Sequence, residues 1–306
     1  MGRRDTSGSA ETQLHAKNIA VVGLGLMGAS LATALKRWCP DCRVLGWARR
    51  EKSIRDALAH DMIDGGSTVV ADVLPAADLT VICLPLEPTI LFVREHAGLW
   101  REGTLVTDVG SVKGTIVRGC RPPLTALGVR FVGSHPMAGS EKTGLESATG
   151  DLYDNATVFV TPVPEDPARD VDEVSALWRS VGACPVRMTG ERHDALVART
   201  SHMLHLLAAA ATDVVLEDEE APLATAGAFR DMTRIAASSP DMWTQICRHN
   251  QEKTLAACDA LMRAFARTRD QLAEADWPAL QATLQRARLR RNTWLSARNQ
   301  RKEESE

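Results

Sequence analysis

Hydrophobic and polar positions along this chain follow two rhythms, and the change falls near residue 190. Before it, short apolar runs alternate with stretches of helical spacing. Ile19 to Val22, Val44 to Trp47, Leu79 to Leu84 and Leu105 to Asp108 are rich in β-branched residues and end at Gly, Pro or Asp. That is the pattern of strands buried on both faces. Val129 to Val132, Val158 to Val160 and Pro185 to Met188 add further strands, with a helix near Val171 to Val181. Strands separated by helices predict an α/β fold with a doubly wound, mostly parallel Rossmann-type sheet through residue 190.

From Glu191 the strand signals vanish. Glu191 to Val215 reads as one amphipathic helix and Ala224 to Ala237 as a second. Pro240 opens a long helix running from Asp241 past Phe265, and another begins near Trp277-Pro278. Helices this rich in Ala, Leu and Met bury their apolar stripes against each other, and a second protomer is a natural partner. An all-α helical dimerisation domain, and hence a homodimer, is expected.

The first strand leads directly into Gly23-Leu24-Gly25-Leu26-Met27-Gly28 and a helix to about Trp38. A G-x-G-x-x-G turn between a strand and a helix is a dinucleotide-binding signature. Gly23 permits the sharp turn, Gly25 lets the backbone approach a pyrophosphate, and Gly28 lets helix and strand pack closely. Leu26 and Met27 open the helix whose N–H groups and positive dipole end face the phosphates. An acidic residue about 20 positions on should grip the ribose 2′-hydroxyl. Ala48 stands there instead, followed by Arg49-Arg50. Paired guanidinium groups suit a 2′-phosphate, so NADP is favoured over NAD. The Leu79 strand ends at Leu84-Pro85, whose position should also face the cofactor. The chain thus divides into a polar, disordered tail (1–17), a dinucleotide-binding domain (18–190) and a helical substrate and dimerisation domain (191–306).

Composition narrows this picture slightly. The 306 residues are 44% hydrophobic and 25% charged, with a formal net charge of -3. That balance gives no case for nucleic acid or an acidic membrane surface. No apolar run approaches the roughly 18 residues of a spanning helix, and the amino terminus lacks a secretory core. Seven scattered cysteines indicate a reducing, cytoplasmic setting. Cys39 and Cys42 read as a turn, and no metal-ligand cluster stands out.

The chemistry concentrates in Gly133-Ser134-His135-Pro136-Met137-Ala138-Gly139-Ser140-Glu141, read as a rigid polar loop presenting His135. A titratable group so held near a dinucleotide points to proton removal coupled to hydride transfer. Ser111 lies at a strand's carboxyl end, where ligands bind. His202 and His205 share a helix face. Arg230, Asp231 and Arg234 fall within two turns beside Phe229, Met232 and Trp243, a composition that predicts partial burial with Asp231 holding an arginine.

These segments, in this order, resemble the prephenate and arogenate dehydrogenases. The match runs from the glycine turn through Asp108–Lys113, Gly133–Glu141, Ser201–His205 and Phe229–Ala236, with Pro240, Trp243 and Asn250 beyond. The resemblance implies oxidative decarboxylation of a small molecule, prephenate or arogenate, in tyrosine biosynthesis. It implies that His135 accepts the ring hydroxyl's proton while Ser111 hydrogen-bonds that hydroxyl and the imidazole. Arg234 would bind a substrate carboxylate, oriented by Asp231, with Ser140, Glu141, His202 and His205 lining the pocket. Met203-Leu204 departs from the family's frequent Leu-Pro, predicting a helix without a kink there. Two other readings remain: a 3-hydroxyacid or 6-phosphogluconate-type dehydrogenase using Lys113, and a non-catalytic dinucleotide sensor.

Overall fold

The computed structural model describes residues 13–139 and 144–303. Strand and helix alternate through β1 (Asn18–Val22), α1 (Leu26–Trp38), β2 (Arg43–Trp47), α2 (Glu51–Ala59) and β3 (Gly65–Ser67). They continue through β4 (Leu79–Ile82), α3 (Leu86–His96), β5 (Leu105–Asp108), α4 (Lys113–Thr125) and β6 (Arg130–Phe131). The strands form one parallel sheet in the order β3-β2-β1-β4-β5-β6. The order reverses between β1 and β4, which opens a crevice at their carboxyl ends. The period of two sorts the core. Ile19, Val21, Leu79 and Val81 point into the layer with α1, whereas Ala20, Val22, Ile82 and Val106 pack with α3 and α4.

A second sheet stands apart. It joins β7 (Gly133–Pro136), β8 (Thr157–Thr161) and β9 (Cys184–Arg187), with α5 (Ala168–Ser180) between the last two. β7 runs antiparallel to β8 and β9 parallel to it, so the expected single layer divides. His135 therefore sits on a strand, opposite Phe159, and not in a loop. Pairing with β8 gives this buried backbone the hydrogen-bond partners that an irregular loop would lack. Part of the stretch expected to be a disordered tail is packed. Leu14 and Ala16 are buried, and the Glu173 carboxylate accepts from the N–H groups of His15 and Ala16 at 2.9 and 2.8 Å.

The helical half contains α6 (Gly190–Val197), a π turn (Ala198–His202), α7 (Met203–Leu216), α8 (Ala221–Ala224) and α9 (Gly227–Thr233). A 3₁₀ turn (Arg234–Ala237), α10 (Pro240–His249), α11 (Gln251–Ala273) and α12 (Trp277–Glu303) follow. Three expected continuous helices are interrupted. The π turn breaks the first, so the helix widens where no proline stands. Thr225-Ala226 separates α8 from α9, and Asn250 at φ -125°, ψ 33° separates α10 from α11. Among the described residues no helix is long and apolar enough to cross a membrane.

Candidate active site

The crevice between β1 and β4 has the shape of a phosphate cradle. Gly23 adopts φ +99°, a conformation that side chains disfavour, and its N–H donates to Trp47 O at 2.8 Å. A Cβ on Gly28 would lie 1.9 Å from the Gly23 carbonyl oxygen, so packing of α1 against the turn requires glycine. A Cβ on Gly25 would meet no protein atom within 4 Å. The protein itself makes no demand for glycine there, and the open space leaves room for close approach of a ligand. No acidic residue occupies the first turn of α1, so its positive end, at Leu26 and Met27, stays uncompensated. Leu84 and Pro85 close the other side, with the Leu84 carbonyl accepting from Thr89 Oγ1 at 3.0 Å. Arg49 and Arg50 are exposed after buried Ala48, and neither guanidinium makes an ion pair among the described residues. These residues fit a dinucleotide.

His135 projects from the second sheet into a chain of polar contacts. Its Nδ1 lies 2.8 Å from Nε2 of His193, and His193 Nδ1 lies 2.8 Å from Asp194 Oδ1. Asp194 also accepts the N–H groups of Lys113 and Gly114 at 2.8 and 2.9 Å, which caps α4. Burial alone would raise this carboxyl; its hydrogen bonds to His193 and to those amides hold it below the usual range. An ionised carboxylate can only accept. Neutral His193 thus carries its proton on Nδ1 and accepts at Nε2, so His135 donates from Nδ1. Among the described residues the lone pair of His135 Nε2 has no donor. Burial, then the neighbouring His193, Lys113 and His202, push the His135 pKa well below its ordinary value. The arrangement yields a neutral base.

Beneath β7 lies a buried ion pair. The Lys113 ammonium contacts Asp108 and donates to Ser134 O at 2.6 Å, and both charged side chains are 0% exposed. Burial pushes the Lys113 pKa down, and Asp108 opposes that. So enclosed a lysine cannot reach a substrate, which removes the support for a lysine-driven dehydrogenase. Ser111 sits partly exposed between β5 and α4, and its hydroxyl makes no hydrogen bond among the described residues. The bond expected from Ser111 to the imidazole is not formed among the described residues, where His193 holds Nδ1.

The helical half closes the far side. The π turn delivers His202 to a site 1% exposed, where its Nδ1 accepts from Asn250 Nδ2 at 3.2 Å. Burial lowers its pKa to about 4. His205 stacks on Trp243 with ring centroids 3.5 Å apart and planes at 23°. Its Nδ1 donates to Ser201 O at 3.1 Å, and burial lowers its pKa while Arg234 adds to the effect. Arg234 is exposed yet has its own partner, whereas exposed Asp231 makes no ion pair among the described residues. Among the described residues the expected Asp231 brace is absent, and the charged side chains of Arg230, Asp231 and Arg234 are exposed although Phe229 and Ile235 beside them are half-buried. α9 packs on α7 along one face only, leaving Arg230, Asp231 and Met232 outward. Ser140 and Glu141 lie outside the described residues.

Sequence reasoning passed over His193 and Asp194. The signal was slight: adjacent His and Asp just inside a helix that Thr189 caps. Nothing local says that the ring meets a histidine 58 positions earlier. Asn250 gained meaning likewise, since its amide donates both to Asp194 O and to His202.

Comparison with known proteins adds to this geometry. The chain matches the nucleotide-binding domain of prephenate dehydrogenase over residues 31–186. It matches the dimerization domain of that enzyme over residues 189–286. It is 34% identical over 264 residues to a prephenate dehydrogenase of Bacillus subtilis, covering 84% of this chain and 71% of the relative. It is 31% identical over 266 residues to a cyclohexadienyl dehydrogenase of Zymomonas mobilis, covering 85% and 90% respectively. The crystal structure of the Aquifex aeolicus prephenate dehydrogenase with hydroxyphenyl propionate and NAD+ superposes with a TM-score of 0.84 at 29% identity. That superposition covers 94% of this chain and 99% of the other.

Proposed function

The chain belongs to the prephenate dehydrogenase family, and from that premise we propose that it oxidises prephenate or arogenate, with loss of carbon dioxide, in tyrosine biosynthesis. The observation that carries this reading is the Nε2 lone pair of His135, without a donor among the described residues and fixed in place by the His193–Asp194 pair. A bound nicotinamide supplies the hydride acceptor. As hydride leaves the carbon bearing the hydroxyl, positive charge builds there, and His135 relieves it by taking the hydroxyl proton. The ring carboxylate then departs as carbon dioxide, and its bonding pair completes the aromatic ring. His135 returns its proton to the phenol oxygen, so the imidazole ends as it began.

Ser111, whose hydroxyl makes no hydrogen bond among the described residues, hydrogen-bonds the substrate hydroxyl. Arg234 pairs with a substrate carboxylate, and Ser140, Glu141, His202 and His205 line the pocket. Arg49 and Arg50, exposed and without an ion pair among the described residues, favour NADP over NAD. The exposed apolar side chains of α11, among them Met262 at 68% and Phe265 at 73%, support a homodimer through the helical half.

One assay tests the whole. Purified protein is given prephenate or arogenate, each with NADP or NAD, and absorbance of the reduced nicotinamide is followed. Turnover with at least one substrate, faster with NADP, is expected. No reduced cofactor in any combination would sink the reading.

A further inference from the structure

The residue before the base is gripped on every polar atom it has. Ser134 N–H donates to Asp108 Oδ1 at 3.2 Å, and Ser134 O accepts from Lys113 Nζ at 2.6 Å. Its hydroxyl donates to Asp108 O at 2.7 Å and accepts from Trp178 Nε1 at 3.0 Å. Thr107 Oγ1, 2.8 Å away, completes the set. All of these groups are buried. Asp108 ends β5 of the first sheet and Ser134 lies in β7 of the second, so the cluster welds the two sheets directly behind His135.

The weld also closes a ring. His135 bonds His193, His193 bonds Asp194, and Asp194 accepts the Lys113 backbone N–H. The Lys113 side chain reaches Ser134, whose carbonyl carbon is bonded to His135 N. Backbone and side chain of one lysine thus hold the imidazole's partner and the imidazole's own strand. A buried ammonium is costly unless paired and hydrogen-bonded, and hydrophobic residues fill such space at lower cost. The placement calls for a positional reason.

We propose that Lys113, neutralised by Asp108, is a positioning residue that fixes the His135 imidazole through Ser134 for proton removal. The inference rests on the reading of His135 as the base. Without the clamp, β7 can shift against β5, and a misplacement near 1 Å costs about 10²-fold in rate.

Three variants test it: Lys113→Met, Lys113→Gln, and Lys113→Met combined with Asp108→Asn, which removes both charges together. With the substrate and cofactor that the wild type uses, kcat should fall about 10²-fold. KM and the cofactor dissociation constant should change by less than about threefold, because the clamp touches neither ligand. The acid limb of kcat/KM should move up toward the ordinary histidine range, as the ring loses a cationic neighbour and gains water. A folded double variant with wild-type kcat and an unmoved acid limb would overturn the proposal. So would failure of all three to fold, since the pair would then serve the fold alone. His135→Asn separates the two claims. If that variant keeps turnover, the base assignment falls and the clamp with it; if it is dead while the double variant works normally, only the clamp falls.

Discussion

The two ends of the candidate site are built by opposite rules. At the proposed proton end, His135, His193, Asp194, Lys113 and Ser134 are tied by successive hydrogen bonds, and all but the His135 ring are held from more than one direction. At the proposed carboxylate end, Asp231 is exposed on α9 and Arg234 on the 3₁₀ turn after it, two short elements that pack mainly on α7. Proton transfer demands a fixed distance and a fixed tautomer, so that end is over-determined. Recognition of a carboxylate by a flexible cation tolerates looser geometry. The difference predicts that damage to the first end appears in kcat and damage to the second in KM.

The largest effect comes from removing the base. His135→Ala should lower kcat by ~10²–10⁴ while cofactor affinity, measured by fluorescence titration, stays nearly unchanged. A variant with wild-type turnover would dissolve the contrast between the ends.

Acid probes the same end without mutation. Burial holds His202 at about 4 when folded, against an ordinary value of 6.5. The unfolded chain therefore binds a proton that the folded one refuses as pH falls through that window. Stability is fully present above pH 6.5 and is lost downward toward pH 4, by about 3 kcal/mol from His202. His135 and His193, also lowered by burial, add in the same direction. Urea midpoints flat across this range would mean that these rings are not buried neutral.

At the other end, Arg234→Ala should raise the substrate KM by roughly 10–100-fold, the worth of one charged hydrogen bond, with kcat little changed. A loss confined to kcat would place Arg234 in the chemistry instead. The mildest test concerns the apolar surface around the open end. Phe265→Glu should bring the mass seen by light scattering down to one chain, with stability of the first half preserved. A wild-type mass already equal to one chain would remove the dimer.

Much of the site was legible in the sequence, for reasons particular to each residue. Gly23 and Gly28 are forced by a positive φ and a packing distance within one turn, so the motif carries its own explanation. Ser111 and His135 followed from the ends of recognisable strands. His193 was illegible, because its one informative contact is made by a strand of another sheet. Lys113 was read as a candidate catalyst, and only the packed fold reveals it sealed beneath β7. The π turn was equally hidden, since helical periodicity does not distinguish a wide turn from an ordinary one.

The amino-acid order alone determined most of the segments that become strands or helices and where the dinucleotide turn falls. Those properties depend on neighbours a few residues away, through backbone sterics and the alternation of apolar faces. The tertiary structure alone decided which nitrogen of His135 is free, why that ring stays neutral, and that a lysine under it is out of a substrate's reach. Tautomer, desolvation and ion pairing depend on groups that packing brings together from distant positions, and no local pattern encodes who meets whom.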